Sequence, residues 1–190
     1  VTNRRLGNID LSATKVWNDG KNLRQALAEA INALPEGEKI TPYLELHFAS
    51  DAEKDAHDIT YGQENGDQVR LDVNADGTGG SVTNIENENG KSAQARQPIS
   101  LTSTDTEDQK FYFYNLPKYD KNGAVVHYEI QEVWIYKNEK GEEVPIYDGQ
   151  GLQKYFKTHL PKDYTGETEL LALLDEFSFT ITSEYLAGRD

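Results

Sequence analysis

Short segments in which apolar and polar residues alternate, separated by turn signals, restrict the fold of this 190-residue chain more than any other feature. Successive side chains of a β-strand point to opposite faces, so each segment predicts a strand with one buried face. The segments are LSATKVW (11–17), YLELHFA (43–49), QVRLDV (68–73), QPISLT, QKFYFYNLP, VVHYEIQEVWIY, EEVPIYD and FSFTITSEY. Many short strands with turn residues between them predict a mainly β sandwich.

A few helical segments interrupt this pattern. NLRQALAEAINALPEG (22–37) has apolar residues at helical spacing, an asparagine that can cap its start and a proline that stops it. GLQKYFKTHL (151–160) predicts a short helix, and TELLALLDE (168–176) predicts a further turn. The region from about 50 to 97 is rich in Asp, Asn, Gly and Glu, which predicts long loops with short strands.

Composition excludes several classes of function. The formal net charge is −14, which disfavours binding to nucleic acid and to anionic membrane surfaces. The chain has no cysteine, so disulfides, thiol catalysis and thiolate metal sites are excluded. No apolar run approaches the roughly 18–20 residues that span a bilayer. Because the chain starts at Val1 and contains no methionine, we expect it to be a segment of a longer protein.

Three predicted strands each place a polar residue in an apolar row. Lys15 follows Leu and Ala at alternate positions of the first strand, Glu132 lies between Ile and Trp in YEIQEVW, and Ser183 follows Phe, Phe and Ile near the end. A buried lysine and a buried glutamate are each costly alone, so we expect Lys15 and Glu132 to pair. The alternative is a register shifted by one residue, in which all three face water.

The runs TKVWNDG, FYFYNLPKYDKNGAVVHYEIQEV and FTIT followed by a polar residue and EY resemble the collagen-adhesin B-type (Cna B-type) domain. These domains are repeated on Gram-positive surface adhesins and pilins, and NLPKYDKNG is the most specific part of the resemblance. It implies an immunoglobulin-like β sandwich with inserted helices and long loops, whose first and last strands are neighbours. It further implies one domain over residues 1–190, with insertions at about 22–40, 50–97 and 138–175.

The resemblance also implies an isopeptide-type triad. In many Cna B-type domains a first-strand lysine, made a neutral nucleophile by burial, attacks a last-strand asparagine carboxamide while a glutamate shuttles protons. The matching positions here are Lys15 for the nucleophile, Glu132 for the shuttle and Ser183 for the acceptor. Serine has no carboxamide, so we expect no crosslink. The sequence leaves open whether Ser183 is natural or introduced.

Few other residues suggest a site. DVNADG places Asp72, Asn74 and Asp76 as in the opening of a calcium loop, although the twelfth position is a threonine and a plain acidic turn is the alternative. The four histidines lack metal-ligand spacing, and His47 and His127 are expected on the solvent faces of their strands. No common catalytic motif is present, so we expect a protein without enzymatic activity and without a cofactor, calcium excepted.

The predicted function is that of a structural and ligand-binding module of a Gram-positive adhesin or pilin. Its expected place is extracellular, anchored to the cell wall through the parent protein. Its expected partners are a host extracellular matrix protein or glycan and the neighbouring domains of the parent. The alternative is a non-catalytic, carbohydrate-binding accessory domain of a secreted enzyme.

Overall fold

The computed structural model describes residues 8–17, 23–48, 60–62, 68–70, 85–86, 92–93, 96–101, 109–119, 125, 127–175 and 181–186. The strands are β1 (Asn8–Lys15), β2 (Ile40–Phe48), β3 (Thr60–Gly62), β4 (Gln68–Arg70), β5 (Ile85–Glu86), β6 (Ser92–Ala93), β7 (Arg96–Pro98), β8 (Gln109–Pro117), β9 (Tyr128–Lys137), β10 (Glu143–Ile146) and β11 (Ile181–Leu186). The helices are α1 (Leu23–Ala33), α2 (Gly149–His159) and α3 (Glu167–Asp175).

Two antiparallel sheets organise the fold. The first has the strand order β11-β1-β8, and the second has the order β10-β9-β2-β7. Apolar residues from both sheets and from all three helices join in one buried cluster. Within the acidic region, the structure describes β3 paired with β4 and β5 paired with β6. The prediction of a mainly β protein with inserted helices is therefore confirmed.

The first and last described strands are neighbours, as predicted. β1 pairs antiparallel with β11, and the register sets Leu11 opposite Tyr185 and Lys15 opposite Ile181. Because β1 also pairs with β8, it is the central strand of its sheet. Leu11, Ala13 and Lys15 alternate along β1 and are all nearly inaccessible to solvent. This row faces the second sheet.

α1 is inserted between β1 and β2 and packs its apolar stripe into the core. Leu23, Leu27, Ala30 and Leu34 are all buried. Their spacing of three and four residues places them on one side of the helix. The helix ends at Ala33, close to the predicted stop. Helix formation here thus follows from the sequence periodicity together with burial against the sheets.

The ammonium of Lys39 caps the carbonyl groups at the end of α1. It donates to the carbonyls of Ile31 at 2.7 Å, Leu34 at 3.1 Å and Asn32 at 3.4 Å. The last carbonyls of a helix lack intrahelical donors and form the negative end of its dipole. Gly37, at a φ of 92°, lets the chain turn back toward them, because glycine adopts this left-handed conformation without steric cost.

Replacing Lys39 by methionine should lower the free energy of unfolding by about 1 kcal/mol, because the helix carbonyls lose a charged donor. Urea denaturation measures this change. The matched control is Lys154→Met, which alters an exposed lysine on α2 and should change the stability by less than about 0.5 kcal/mol. Equal stability of the Lys39 variant and the wild type would contradict the capping role.

α2 and α3 follow β10 and pack against each other. Asp148 caps α2, since its Oδ1 accepts the backbone N–H of Gly151 at 2.6 Å. The side-chain amide of Gln153 then joins the two helices by donating to Asp175 Oδ1 at 2.6 Å. Both helices lie where the helical pattern predicts them. In the part of the chain that the structure describes, no helix is long and apolar enough to cross a membrane.

Candidate functional site

Lys15 and Glu132 form a buried ion pair between the two main sheets. Lys15 ends β1, and Glu132 lies in the middle of β9 in the facing sheet. The Lys15 nitrogen Nζ lies 2.5 Å from Glu132 Oε1, and both side chains are 0% exposed. The two apolar rows that carry these residues therefore face each other. The shifted register that would turn both toward water is not observed.

The two tryptophans of the chain both contact this pair. Trp134 Nε1 donates to Glu132 Oε2 at 2.9 Å. Lys15 Nζ lies 4.7 Å from the centroid of the Trp17 ring. The indole N–H binds the second carboxylate oxygen, and the indole face attracts the cation. The carboxylate is thus hydrogen-bonded within the pocket by one indole, and the ammonium lies against the ring of the other.

The environment of Glu132 suits it to carry a proton. Burial raises the pKa of its carboxyl, while the charge and hydrogen bond of Lys15 and the Trp134 N–H act in the opposite direction and are outweighed. A carboxyl with a raised pKa accepts and returns a proton closer to neutral pH than an exposed glutamate does. The short contact between its Oε1 and Lys15 Nζ provides a path for that proton.

Ser183 lies on the inward row of β11 but is not buried. The register sets Ser183 opposite Ala13, and Ile181 opposite Lys15. The Ser183 side chain is exposed, so the expectation that it points into a buried site beside Lys15 is wrong. β11 is an edge strand of its sheet among the strands that the structure describes.

Tyr185 lies on the same row of β11 and is also partly exposed to solvent. It is 48% exposed, yet its hydroxyl accepts the backbone N–H of Tyr128 at 3.2 Å. Tyr128 is the first residue of β9 in the other sheet. The outer end of β11 therefore contacts the second sheet through a hydroxyl at the rim.

A second buried polar cluster lies on the outer face of the four-stranded sheet. Glu45 is 1% exposed and accepts hydrogen bonds from Arg96 Nε at 2.8 Å and from the Tyr147 hydroxyl at 3.3 Å. His47 Nε2 lies 2.6 Å from Glu45 Oε1, and its ring packs edge-on against Tyr147. The second oxygen of Glu45 also lies 2.7 Å from Arg96 Nη2.

The prediction that His47 lies on a solvent face of β2 is wrong. His47 does point away from the apolar row of β2, but it is only 2% exposed. The outer face of this strand is covered, and Tyr147 supplies part of that cover. The available signal was the Glu-x-His spacing, which puts two groups able to hydrogen-bond on one face of a strand. By contrast, His127 is exposed as expected.

Glu45 is the charged centre of this cluster. Burial by itself raises the pKa of its carboxyl, but the hydrogen bonds and charges of His47 and Arg96 outweigh burial and hold the pKa below its usual 4.5. A carboxyl whose pKa is lowered by folding stabilises the fold above its unfolded pKa. That stabilisation is lost as the pH falls through the folded value.

Replacing Glu45 by glutamine should therefore lower the free energy of unfolding at pH 7 by about 2 kcal/mol, because charge-assisted hydrogen bonds are lost. The same variant should lose less stability than the wild type between pH 7 and pH 3. Urea denaturation at both pH values measures the two effects. Glu139→Gln, at an exposed turn residue, should reproduce the wild-type curve. An unchanged acid limb in the Glu45 variant would exclude this group as its source.

A shallow groove opens on the same outer face. Its volume is about 260 Å³. It is lined by Gly37, Lys39, Thr41, Tyr43, Ile135, Tyr136, Lys137 and Glu143. Arg96 connects the groove to the buried cluster, because its guanidinium lies 5.7 Å from the centroid of the Tyr43 ring and 3.2 Å from Glu143 Oε2. The groove thus combines aromatic, hydroxyl and charged groups.

The calcium prediction falls outside this description. Asp72, Asn74 and Asp76 are not among the described residues. Within the described ranges, no three His, Asp or Glu side chains are grouped so that they could hold a metal ion.

Comparison with models of protein families gives a match over the middle of the chain. Residues 87–152 match the Cna protein B-type domain. This segment contains β8, β9 and Glu132, and thus the most specific part of the sequence resemblance. The resemblance is therefore confirmed. Searches of curated proteins and of solved structures found no match to the chain.

The Cna B-type match agrees with the observed architecture. The domain has an immunoglobulin-like fold, and two antiparallel sheets with few helices fit that fold. Cna B-type domains are structural and non-enzymatic, and they occur in extracellular surface proteins. The match thus supports a structural module of a surface protein of the adhesin or pilin type. Lys15 and Ser183 lie outside residues 87–152.

Proposed function

We propose that the chain is a structural and ligand-binding module of a Gram-positive adhesin or pilin in which an ion pair replaces the internal isopeptide crosslink. The observation that carries this proposal is the buried contact between Lys15 and Glu132, which joins the two sheets. A lysine and a proton-carrying carboxyl are the two groups that the crosslinking chemistry requires besides an acceptor.

The described part of β11 supports the absence of a crosslink. Ile181 is directly opposite Lys15, and Ser183 is the next residue on the same face. Neither side chain contains a carboxamide or carboxyl carbon that an amine could attack. Without the covalent bond, the pair stabilises the domain through its charge interaction and its two indole contacts.

Intact-mass spectrometry tests this proposal. The purified chain should have the mass of its residues plus one water. A mass lower by one ammonia would show that the crosslink forms with another asparagine or glutamine as acceptor, and would overturn the assignment. A Lys15→Ala variant identifies the nucleophile in that case, because it would restore the full mass.

The proposed domain limits follow from the inserted elements. We assign residues 1–190 to a single Cna B-type domain, in which α1, the acidic region and the α2–α3 pair are insertions into the sandwich. The parent protein would anchor this domain to the cell wall. Limited proteolysis tests the limits, since one domain should yield one resistant core that retains both β1 and β11.

We propose the groove beside Tyr43 as the ligand-binding site. An aromatic ring with nearby hydroxyl, ammonium and carboxylate groups can bind either a glycan or a protein side chain. Arrays of extracellular matrix proteins and of glycans separate the two proposed roles. Binding to a matrix protein or host glycan supports the adhesin. Binding to a structural polysaccharide supports the accessory domain of a secreted enzyme.

Calcium binding is proposed at Asp72, Asn74 and Asp76, on the basis of their loop spacing. Titration calorimetry with calcium should give a heat of binding that Asp76→Ala abolishes, together with a higher melting temperature of the wild type in calcium. Absence of both effects would leave this segment as an acidic turn.

A further inference from the structure

Arg24 connects the inserted helix α1 to the buried ion pair. It lies in the first turn of α1 and is 7% exposed. Its guanidinium carbon lies 4.7 Å from the centroid of the Trp17 ring. Lys15 Nζ lies at the same distance from the same ring. One indole therefore packs against both the amine of the pair and a cation supplied by the insertion.

The position of Trp17 explains why this contact matters. Trp17 lies two residues beyond Lys15, just after the end of β1. It is 8% exposed although no strand holds it. A buried indole outside a strand needs packing from other elements: the apolar core supplies part of it, and the Arg24 guanidinium adds a cation–π contact.

Leu23 and Leu27 fix the position of Arg24. Both are at most 1% exposed, so the first turns of α1 are anchored in the core on either side of it. The helix periodicity then leaves Arg24 with a defined direction, because its neighbours on the helix are locked by packing. The packing of Leu23 and Leu27 therefore holds the Arg24 guanidinium over the Trp17 ring.

We propose that Arg24 is a positioning residue, which holds Trp17 over Lys15 and so makes the inserted helix the cover that keeps water and solutes from the Lys15–Glu132 pair. The inference extends the proposed function, since it names the element that keeps the site dry. The Lys15 amine does not react with solutes while the pocket is closed to solvent. It becomes reactive when local opening of α1 and Trp17 admits water and solutes.

Two measurements on the native protein report on this cover. The first is the rate at which a water-soluble acetylating ester modifies Lys15, read by peptide mass after brief labelling at fixed pH. The second is tryptophan fluorescence, which comes from Trp17 and Trp134, and both of these residues contact the pair. Arg24→Ala should raise the Lys15 labelling rate about tenfold or more and shift the emission to longer wavelength.

The controls separate positioning from helix stability. Gln25→Gly weakens the same turn through an exposed residue, because glycine is a poor helix former, and should leave the Lys15 labelling rate and the emission unchanged. Arg24→Lys keeps a cation beside Trp17 and should restore most of the protection. Arg24→Met keeps an apolar stem of similar reach without the charge. If the alanine variant does not fold, faster labelling in the methionine than in the lysine variant supports the proposal.

Several results would overturn the proposal. Equal labelling rates in the Arg24→Ala and Gln25→Gly proteins would assign the effect to helix stability alone. Wild-type labelling and emission in Arg24→Ala, or equal labelling of the methionine and lysine variants, would show that Arg24 does not hold the cover. Neither the labelling rate nor the emission depends on the absence of a crosslink acceptor at position 183. The test of Arg24 can therefore succeed or fail independently of the proposed function.

Discussion

Lys15→Met should lower the free energy of unfolding at pH 7 by about 3–5 kcal/mol, because it leaves the Glu132 carboxylate buried without its cation. In this variant the Glu132 carboxylate keeps, among the contacts described above, the hydrogen bond from Trp134 Nε1. Urea denaturation followed by circular dichroism measures the loss. A cost below about 1 kcal/mol would contradict a buried pair at this position, because that is the range of exposed ion pairs.

The pH dependence of the free energy of unfolding of Lys15→Met provides a second test of the buried pair. Burial raises the folded pKa of Glu132, so its protonated form stabilises the fold below the unfolded pKa and this contribution is lost as the pH rises through the folded value. The variant should therefore be closest to the wild type in acid and furthest from it at neutral pH. A constant difference across this range would show that lost packing, and not the unpaired carboxylate, is the cause.

The single variant Glu132→Leu and the double variant Lys15→Met with Glu132→Leu complete a double-mutant cycle. Replacing both charges by apolar groups of similar volume removes the desolvation cost together with the attraction. Such replacements of buried pairs are commonly neutral or stabilising by about 1–4 kcal/mol. The double variant should be more stable than Lys15→Met alone, and the cycle then measures the coupling of the two charges.

The faces of individual strands could be predicted from the sequence, because period-two alternation is a local property. The inward rows of Lys15 and Glu132 follow from it, and so does the apolar stripe of α1. The pairing of these two charges followed from energetics, since neither could be buried alone. These predictions required no knowledge of which strands lie side by side.

Burial that depends on distant partners could not be predicted in the same way. Glu45 is held by Arg96 and Tyr147, which lie 51 and 102 positions further along the chain. Ser183 is exposed on β11, an edge strand among the described strands, and alternation does not report how far other elements cover a face. For His47 and Ser183, alternation assigned the correct row and the wrong solvent access, because cover comes from other elements.

Installing an acceptor should produce the largest change in stability. Ser183→Asn supplies the carboxamide that the resemblance to Cna B-type domains implies at this position. The neutral amine of Lys15 would attack its side-chain carbonyl carbon, forming an amide as the C–NH₂ bond breaks. Glu132 would take the proton from the amine and return it to the leaving ammonia. The product should weigh one ammonia less than the uncrosslinked variant.

The crosslink would close a loop of most of the chain, which by the entropy model for disulfides stabilises by about 5 kcal/mol. In a chain of this size, that gain corresponds to a rise in melting temperature of about 10–20 °C. Intact mass and calorimetry measure the two effects on one sample. Lys15→Ala in the same background should abolish both, since it removes the nucleophile.

The observed register makes Ile181→Asn the matched comparison. Position 181 lies directly opposite Lys15, while position 183 is the next residue on that face, and directly opposed side chains lie closer together than diagonal neighbours. Position 181 is also less exposed than position 183, and a drier site favours the neutral amine. If geometry and burial decide the reaction, the asparagine at 181 should lose ammonia faster than the one at 183.

Faster reaction at 183 would show that the strand pairs differently when the bond forms. Full mass in both variants would show that Lys15 does not reach a dry acceptor on β11.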